Sequence, residues 1–278
     1  MAGSVRGGAR RCAVLGRPVA HSLSPAMHRA AYARLGLAWT YEAREVDERG
    51  LPDLLDGLDD TWRGVSLTMP LKRAAVSLCD ELSAVARRVA GVNTLLLDGG
   101  RRRGDNTDVP GFTAALAERQ VGEVRSAVVL GAGATALSAA AALTDLGLRR
   151  LHLAVRDPAR AALTADTVAR WGVEVTLGPL GGPAEGGPVD VLVSTVPAAA
   201  VALVPTTLDD VGTVFDVVYD PWPTPLSAAA AAAGAQVLDG LDLLAHQARL
   251  QVRAMTGFDV DVEVLRDAAR AELTQWRA

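Results

Sequence analysis

From about residue 124 to residue 238 the sequence alternates short, β-branched apolar runs with longer Ala-rich ones, and this alternation narrows the possible folds more than any other feature. Strand-like runs at Ala127–Leu130, Leu151–Val155, Val173–Leu177, Val189–Ser194, Thr213–Val218 and Gln236–Leu238 are separated mostly by helical ones, the pattern of a doubly wound, mainly parallel sheet. A second series precedes it. Cys12–Leu15, Thr40–Val46, Gly64–Thr68 and Val92–Leu97 read as strands, and Pro25–Leu35, Leu51–Leu58 and Glu81–Val89 as helices. A helix from Asp108 to Arg119 leads from one series to the other, the Gly/Pro-rich stretch Gly178–Pro188 reads as a surface loop, and Gly240–Ala278 is nearly all helical without a partner strand. For 278 residues, two α/β domains around two cores follow.

Composition removes several function classes. A net charge of −4 gives no electrostatic reason to bind nucleic acid or an anionic membrane. The longest apolar run, Val196–Val204, is interrupted by Pro197 and is too short to span a bilayer, and the N-terminal stretch lacks the apolar core of a secretion signal. Cys12 and Cys79 cannot form a cysteine-based metal cage, so no metal is expected and a reducing cytoplasm is the default compartment.

Residue choice is that of a GC-rich genome, with no Ile, one Lys and two Asn among abundant Ala, Val, Leu, Gly and Arg. Lys72, Asn93 and Asn106 all fall in three short clusters: Ser66-Leu-Thr68-Met-Pro-Leu-Lys72, Gly91-Val-Asn93-Thr94 and Gly104-Asp-Asn106-Thr-Asp108. An ammonium gives up a proton where a guanidinium does not, so the lone lysine in an Arg-rich chain suits proton transfer. The clusters together suit a polyhydroxylated small molecule, with Lys72 and Asp108 available for acid–base work.

Gly131-Ala132-Gly133-Ala134-Thr-Ala136 lies between an apolar strand and a small-residue helix, the context of a dinucleotide fingerprint. At the end of the next strand Arg156 favours a 2′-phosphate, hence NADP; Asp157 either accepts from a free ribose hydroxyl, hence NAD, or caps the helix beginning at Pro158. Near the N-terminus Ser24 fits an N-cap and Pro25 a first helical position, and the hydroxyls of Ser22 and Ser24 suit a carboxylate.

Taken in order and spacing, Ser22–Pro25, Thr68-x-Pro-x-Lys72, Asn93-Thr94, Asp105–Asp108, the glycine fingerprint and Gln247 in Gly240-Leu-Asp-Leu-Leu-Ala-His-Gln247 resemble the shikimate dehydrogenase family over nearly the whole chain. The resemblance implies reversible, NADPH-dependent reduction of 3-dehydroshikimate to shikimate. Ser22 and Ser24 would hold the carboxylate, and Thr68, Asn93, Asp108 and Gln247 the ring hydroxyls. Lys72 and Asp108 would form the catalytic pair, with Tyr219 near substrate and nicotinamide. Gly131, Ala132, Gly133, Ala134, Arg156, Asp157, Thr195, Val196 and Gly240 would hold the cofactor. It implies a substrate domain at 1–107 completed by 240–278, an NADP-binding Rossmann domain at 108–239, and a monomer or homodimer.

Four positions depart from the family pattern: Ser66 stands where many relatives have Asn, Val155 and Asp157 flank Arg156 in place of the Asn and Thr/Ser of Asn-Arg-Thr/Ser, and Ala134 replaces a common third glycine. His21, His28, His152 and His246 read as structural or exposed. Alternatives are a quinate/shikimate dehydrogenase using NAD(H), an aminoshikimate-type dehydrogenase and a non-catalytic nucleotide-dependent regulator.

Overall fold

A computed structural model describes residues 8–181, 187–201 and 208–277. In chain order the elements begin β1 (Arg11–Gly16), α1 (Ser24–Leu35), β2 (Thr40–Glu45), α2 (Leu51–Asp56), β3 (Trp62–Leu67), α3 (Leu71–Ala74), β4 (Glu81–Leu82), α4 (Ala84–Arg88), β5 (Thr94–Asp98) and β6 (Arg101–Asp105). There follow α5 (Asp108–Glu118), β7 (Ser126–Leu130), α6 (Ala134–Asp145), β8 (Arg150–Val155), α7 (Pro158–Ala169), β9 (Glu174–Pro179), β10 (Val189–Ser194), α8 (Ala198–Val201), β11 (Val211–Asp216), α9 (Pro225–Ala232), β12 (Gln236–Leu238), α10 (Gly240–Thr256) and α11 (Val262–Trp276). The chain forms two compact units, one of residues 1–107 with 244–278, the other of residues 108–243.

The first unit is built on a mixed sheet of order β2-β1-β3-β5-β6-β4. Strands β2, β1 and β3 run parallel, while β5 is antiparallel to both β3 and β6. Side-chain alternation sends Ala13, Leu15, Val65 and Leu67 to one face, against Leu51, Leu55, Leu71 and Ala75. Cys12, Val14 and Tyr41 go to the other, against Tyr32 of α1 and Met255 of α10. Arg63 fastens the end of α10 by donating to the Met255 carbonyl at 2.9 Å.

Two departures from expectation lie here. Glu81–Val89 is not one helix: Glu81–Leu82 pair with β6, and Ser83, whose hydroxyl accepts from the Ala86 N–H at 3.0 Å, starts α4. Strand β6 has no counterpart in the sequence reading. It closes a hairpin with β5 through Gly99-Gly100, both at positive φ as a two-residue hairpin turn requires. The first sheet is therefore only partly parallel.

In the second unit the order β12-β11-β10-β7-β8-β9, with every pairing parallel, is the doubly wound arrangement the alternation predicts. The order reverses between β7 and β10. Val128, Leu130, Leu192 and Val214 pack with Leu226 and Ala230 of α9, and Phe112 of α5 meets Phe215 edge-on at 5.0 Å. Strand β9 runs two residues farther than expected, taking in Gly178 and Pro179, so the loop read at 178–188 begins later. Its residues 182–186, like 202–204 of the longest apolar run, lie outside the described residues.

Candidate functional site

Because β5 runs against β3 and β6, its first residues stand at the end of the sheet where those two strands finish. The three polar clusters therefore arrive at one place. The Val92 N–H donates to the Lys72 carbonyl at 2.7 Å, the Leu67 N–H to the Asn93 carbonyl at 2.7 Å, and the Asn93 N–H to the Asp105 carbonyl at 3.0 Å. Asn93 Oδ1 accepts from the Thr107 N–H at 2.8 Å and from the Thr94 hydroxyl at 2.8 Å, and Asn93 Nδ2 donates to Thr107 Oγ1 at 3.0 Å. Asn106 donates to the Gly91 carbonyl at 3.0 Å, a brace that keeps the second cluster folded over the third.

Thr68 and Lys72 flank the turn that leaves β3. The Thr68 N–H bonds the Leu15 carbonyl at 2.9 Å, and the Thr68 carbonyl accepts from the Leu71 N–H at 2.8 Å, which starts α3 and sets Lys72, half-buried, in its first turn. Gln247 is buried on α10, which belongs to this unit from residue 244 onward.

Ser24 does not cap α1. It is the first helical residue; Leu23 occupies the cap position in helical conformation, and the Met27 N–H bonds the Leu23 carbonyl at 3.1 Å. The Ser22 hydroxyl instead accepts from the Ser24 N–H at 3.3 Å. His28, fully buried, stacks on Tyr41 at 4.0 Å and meets the Ser24 carbonyl through Nδ1 at 3.0 Å; burial pushes its pKa down to about 4. His21 lies edge-on to Trp276 at 5.6 Å.

In the second unit the fingerprint loop joins β7 to α6. Gly131 has φ +104°, and a Cβ there would come within 2.6 Å of Thr195 Oγ1, so only glycine fits. Gly133 is exposed with nothing within 4 Å of a would-be Cβ, leaving Ala132, Gly133 and Ala134 open to a phosphate at the start of α6. The Thr195 hydroxyl and N–H both donate to the Leu130 carbonyl, at 2.8 and 3.0 Å, fixing the carboxyl end of β10 to that of β7; Val196 follows beside Gly131. This is the switch point at which doubly wound sheets bind ligands.

Arg156 is exposed just past β8. Asp157 caps α7, its Oδ1 accepting from the Ala159 N–H at 3.0 Å and the Arg160 N–H at 3.4 Å, while Oδ2 lies 3.6 Å from the Arg160 guanidinium. Of its two readings, the cap is the one the geometry shows. Asp108, buried, opens α5; Tyr219 is half-buried, its phenol pushed up by burial and then by the adjacent Asp220 carboxylate. Gly240 opens α10 where a Cβ would strike the Val217 carbonyl, a packing requirement independent of any ligand.

Among the described residues no group of three or more His, Cys, Asp or Glu side chains could hold a metal, and no helix is long and apolar enough to cross a membrane. Both cysteines are free, their thiols pushed up to about 11 by burial. The sequence reading picked out Asn106 and Thr107 by their polar cluster; it missed Tyr41 and Gln251 in the layer beneath, which carried no local signal.

Residues 14–95 match the shikimate dehydrogenase substrate binding domain, and residues 240–270 the shikimate 5′-dehydrogenase C-terminal domain. A shikimate dehydrogenase (NADP(+)) of Thermus thermophilus is 39% identical, the alignment covering 95% of this chain and 98% of the relative. Among solved structures, the Mycobacterium tuberculosis shikimate dehydrogenase superposes with a TM-score of 0.84 at 40% identity, covering 94% of this chain and 99% of that one. A Thermus thermophilus shikimate 5-dehydrogenase in complex with NADP(H) and shikimate gives 0.82 at 38% identity, with coverage of 94% and 99%. With identity of this order along almost its full length, the chain belongs to the shikimate dehydrogenase family.

Proposed function

We propose that this protein is an NADP-dependent shikimate dehydrogenase, an oxidoreductase that reversibly reduces 3-dehydroshikimate to shikimate in aromatic amino-acid biosynthesis, acting in the cytoplasm as a monomer or homodimer. The observation that carries the reading is the convergence of Thr68, Lys72, Asn93 and Thr107 at one sheet end, in a chain whose relatives of about 40% identity bear that name. The first unit is the substrate domain, with Ser22 and Ser24 for the carboxylate and Thr68, Asn93 and Gln247 for ring hydroxyls. The second is the nucleotide domain, which carries Asp108 and Tyr219.

Its fingerprint loop fits a dinucleotide, since Gly131 admits no Cβ and Gly133 leaves its backbone open. Gly131, Ala132, Gly133 and Ala134 would cradle the pyrophosphate, with Thr195, Val196 and Gly240 completing the cofactor wall. Arg156 would meet the 2′-phosphate. Asp157, engaged by two N–H groups and by Arg160, offers that phosphate little repulsion, which supports NADP over NAD. When bound, NADPH supplies the hydride. Negative charge then grows on the substrate's carbonyl oxygen; the Lys72 ammonium stabilises it and delivers the proton, and Asp108 shares the resulting hydroxyl. In the oxidative direction Lys72 takes the proton back.

Lys72→Ala tests this assignment. It should lower kcat by about 100- to 10,000-fold with modest change in KM for shikimate. A variant with wild-type kcat would remove Lys72 from the chemistry.

A further inference from the structure

On the face of the first sheet covered by α1 and α10, a chain of polar groups runs through the interior. The Tyr41 hydroxyl donates to Ser66 Oγ at 2.7 Å, and Ser66 Oγ donates to Gln251 Oε1 at 2.8 Å. Gln251 Nε2 donates to Thr94 Oγ1 at 3.1 Å and to the Asn93 carbonyl at 3.3 Å, and Thr94 Oγ1 donates to Asn93 Oδ1 at 2.8 Å. Tyr41, Gln251 and Asn93 are each 1% exposed, Ser66 4% and Thr94 0%.

The partners fix the direction of every bond. The Asn93 carbonyl can only accept, so it must face the Gln251 amide nitrogen. That turns the Gln251 oxygen, which can only accept, toward Ser66, so Ser66 spends its single proton there and accepts from the Tyr41 hydroxyl. One side chain on α10 thereby holds both the end of β3 and the start of β5. Apolar side chains would fill the same space without desolvating a carboxamide and two hydroxyls, so filling the core does not account for the choice. The bonds end instead on Asn93, whose carbonyl, side-chain oxygen and neighbouring hydroxyl are all set from beneath, and Gln251 lies one turn along α10 from Gln247, on the same helical face.

We propose that Gln251 is a positioning residue for the polyol-binding site: with Ser66 and Tyr41 it fixes the aim of the Asn93 side chain, and so the fit of the substrate ring hydroxyls, without touching substrate itself. The proposal rests on the shikimate reading for the identity of the ligand but not for the positioning.

The test compares Gln251→Met, close in length and volume but without the amide, with Ser66→Ala, which removes both hydroxyl bonds, and Ser66→Thr, which keeps them. Two quantities are read in each: hydrogen exchange at the Thr107 N–H, which donates to Asn93 Oδ1 at 2.8 Å, relative to the Ala13 and Val14 amides of β1; and KM and kcat with shikimate and NADP. Gln251→Met should speed relative exchange at Thr107 and raise KM for shikimate by about tenfold each, the worth of one well-made buried hydrogen bond, with kcat and KM for NADP nearly unchanged. Ser66→Ala should move the same quantities in the same direction, and Ser66→Thr should restore them. Unchanged relative exchange at Thr107 in Gln251→Met and Ser66→Ala, with KM constant and only the melting temperature lowered, would overturn the proposal. If relative exchange rises while the wild-type protein shows no shikimate turnover, the positioning of Asn93 stands and the substrate assignment falls.

Discussion

Arg156 and Asp157 are adjacent, opposite in charge and exposed, yet only Asp157 is engaged by the start of α7. Asp157 satisfies the first turn of α7, whereas Arg156 is exposed just past β8 and, in the proposed reading, meets the 2′-phosphate. Arg156→Ala should therefore raise KM for NADP by about 10- to 100-fold, the range of a hydrogen bond to a charged group, and leave KM for NAD nearly constant. Asp157→Ala should instead cost about 1 kcal/mol of stability through the lost cap and leave the NADP-to-NAD preference unchanged. Steady-state kinetics with both cofactors, together with a urea titration of each variant, check the pair. A loss of NAD activity in Asp157→Ala would make that carboxylate a ribose ligand. At this scale scarcity pointed to Lys72, and the fold does bring its segment beside the Asn93 cluster through the bond from the Val92 N–H to the Lys72 carbonyl. The sequence was least informative where a contact joins residues far apart in the chain. Gln251 meets Ser66 across 185 positions and the Asn93 carbonyl across 158, and within the sequence it is one more polar residue on an amphipathic helix.

Among the elements, the loop between β7 and α6 is constrained at Gly131. Gly131→Ala meets a strained φ and the Thr195 hydroxyl together, so it should cost about 1–3 kcal/mol of stability and weaken NADP binding. Thermal unfolding and cofactor titration measure both, and a variant with wild-type values in both would mean that the loop shifts readily. Strand β10, Val189–Ser194, is the segment read from sequence, because Pro188 and Ser194 mark its ends and Val191-Leu192-Val193 is an unbroken apolar run between Asp190 and Ser194. Strand β6 escaped notice because Arg101-Arg102-Arg103 looks like a solvated charge run. Its real signal was the Gly99-Gly100 turn, whose hairpin pairs Leu96 with Arg103 and Leu97 with Arg102. The helix read across Glu81–Val89 failed because Ser83 is an N-cap and caps interrupt periodicity at its start.

At the scale of the whole molecule, the alternation of strand and helix was enough for the second unit, where sequential parallel strands leave few arrangements open. The first unit depends on long-range pairings and on a return of the chain at residue 244, neither of which has a periodic signature. One consequence concerns global stability. The unfolded chain binds a proton at His28 near pH 6.5 and the folded chain only near 4, because burial disfavours the imidazolium. His28 therefore costs nothing above about pH 6.5, and below it stability falls by an amount approaching about 3 kcal/mol as the pH nears 4. Unfolding free energies across that interval should show this fall, and His28→Gln should flatten it. An equal slope in the variant would place the acid sensitivity elsewhere.

The most direct test of the central claim follows the absorbance of reduced nicotinamide during oxidation of shikimate and of quinate, each with NADP and with NAD. Turnover confined to shikimate with NADP is the expected result. Strong NAD-linked oxidation of quinate, or no turnover in any of the four combinations, would contradict it.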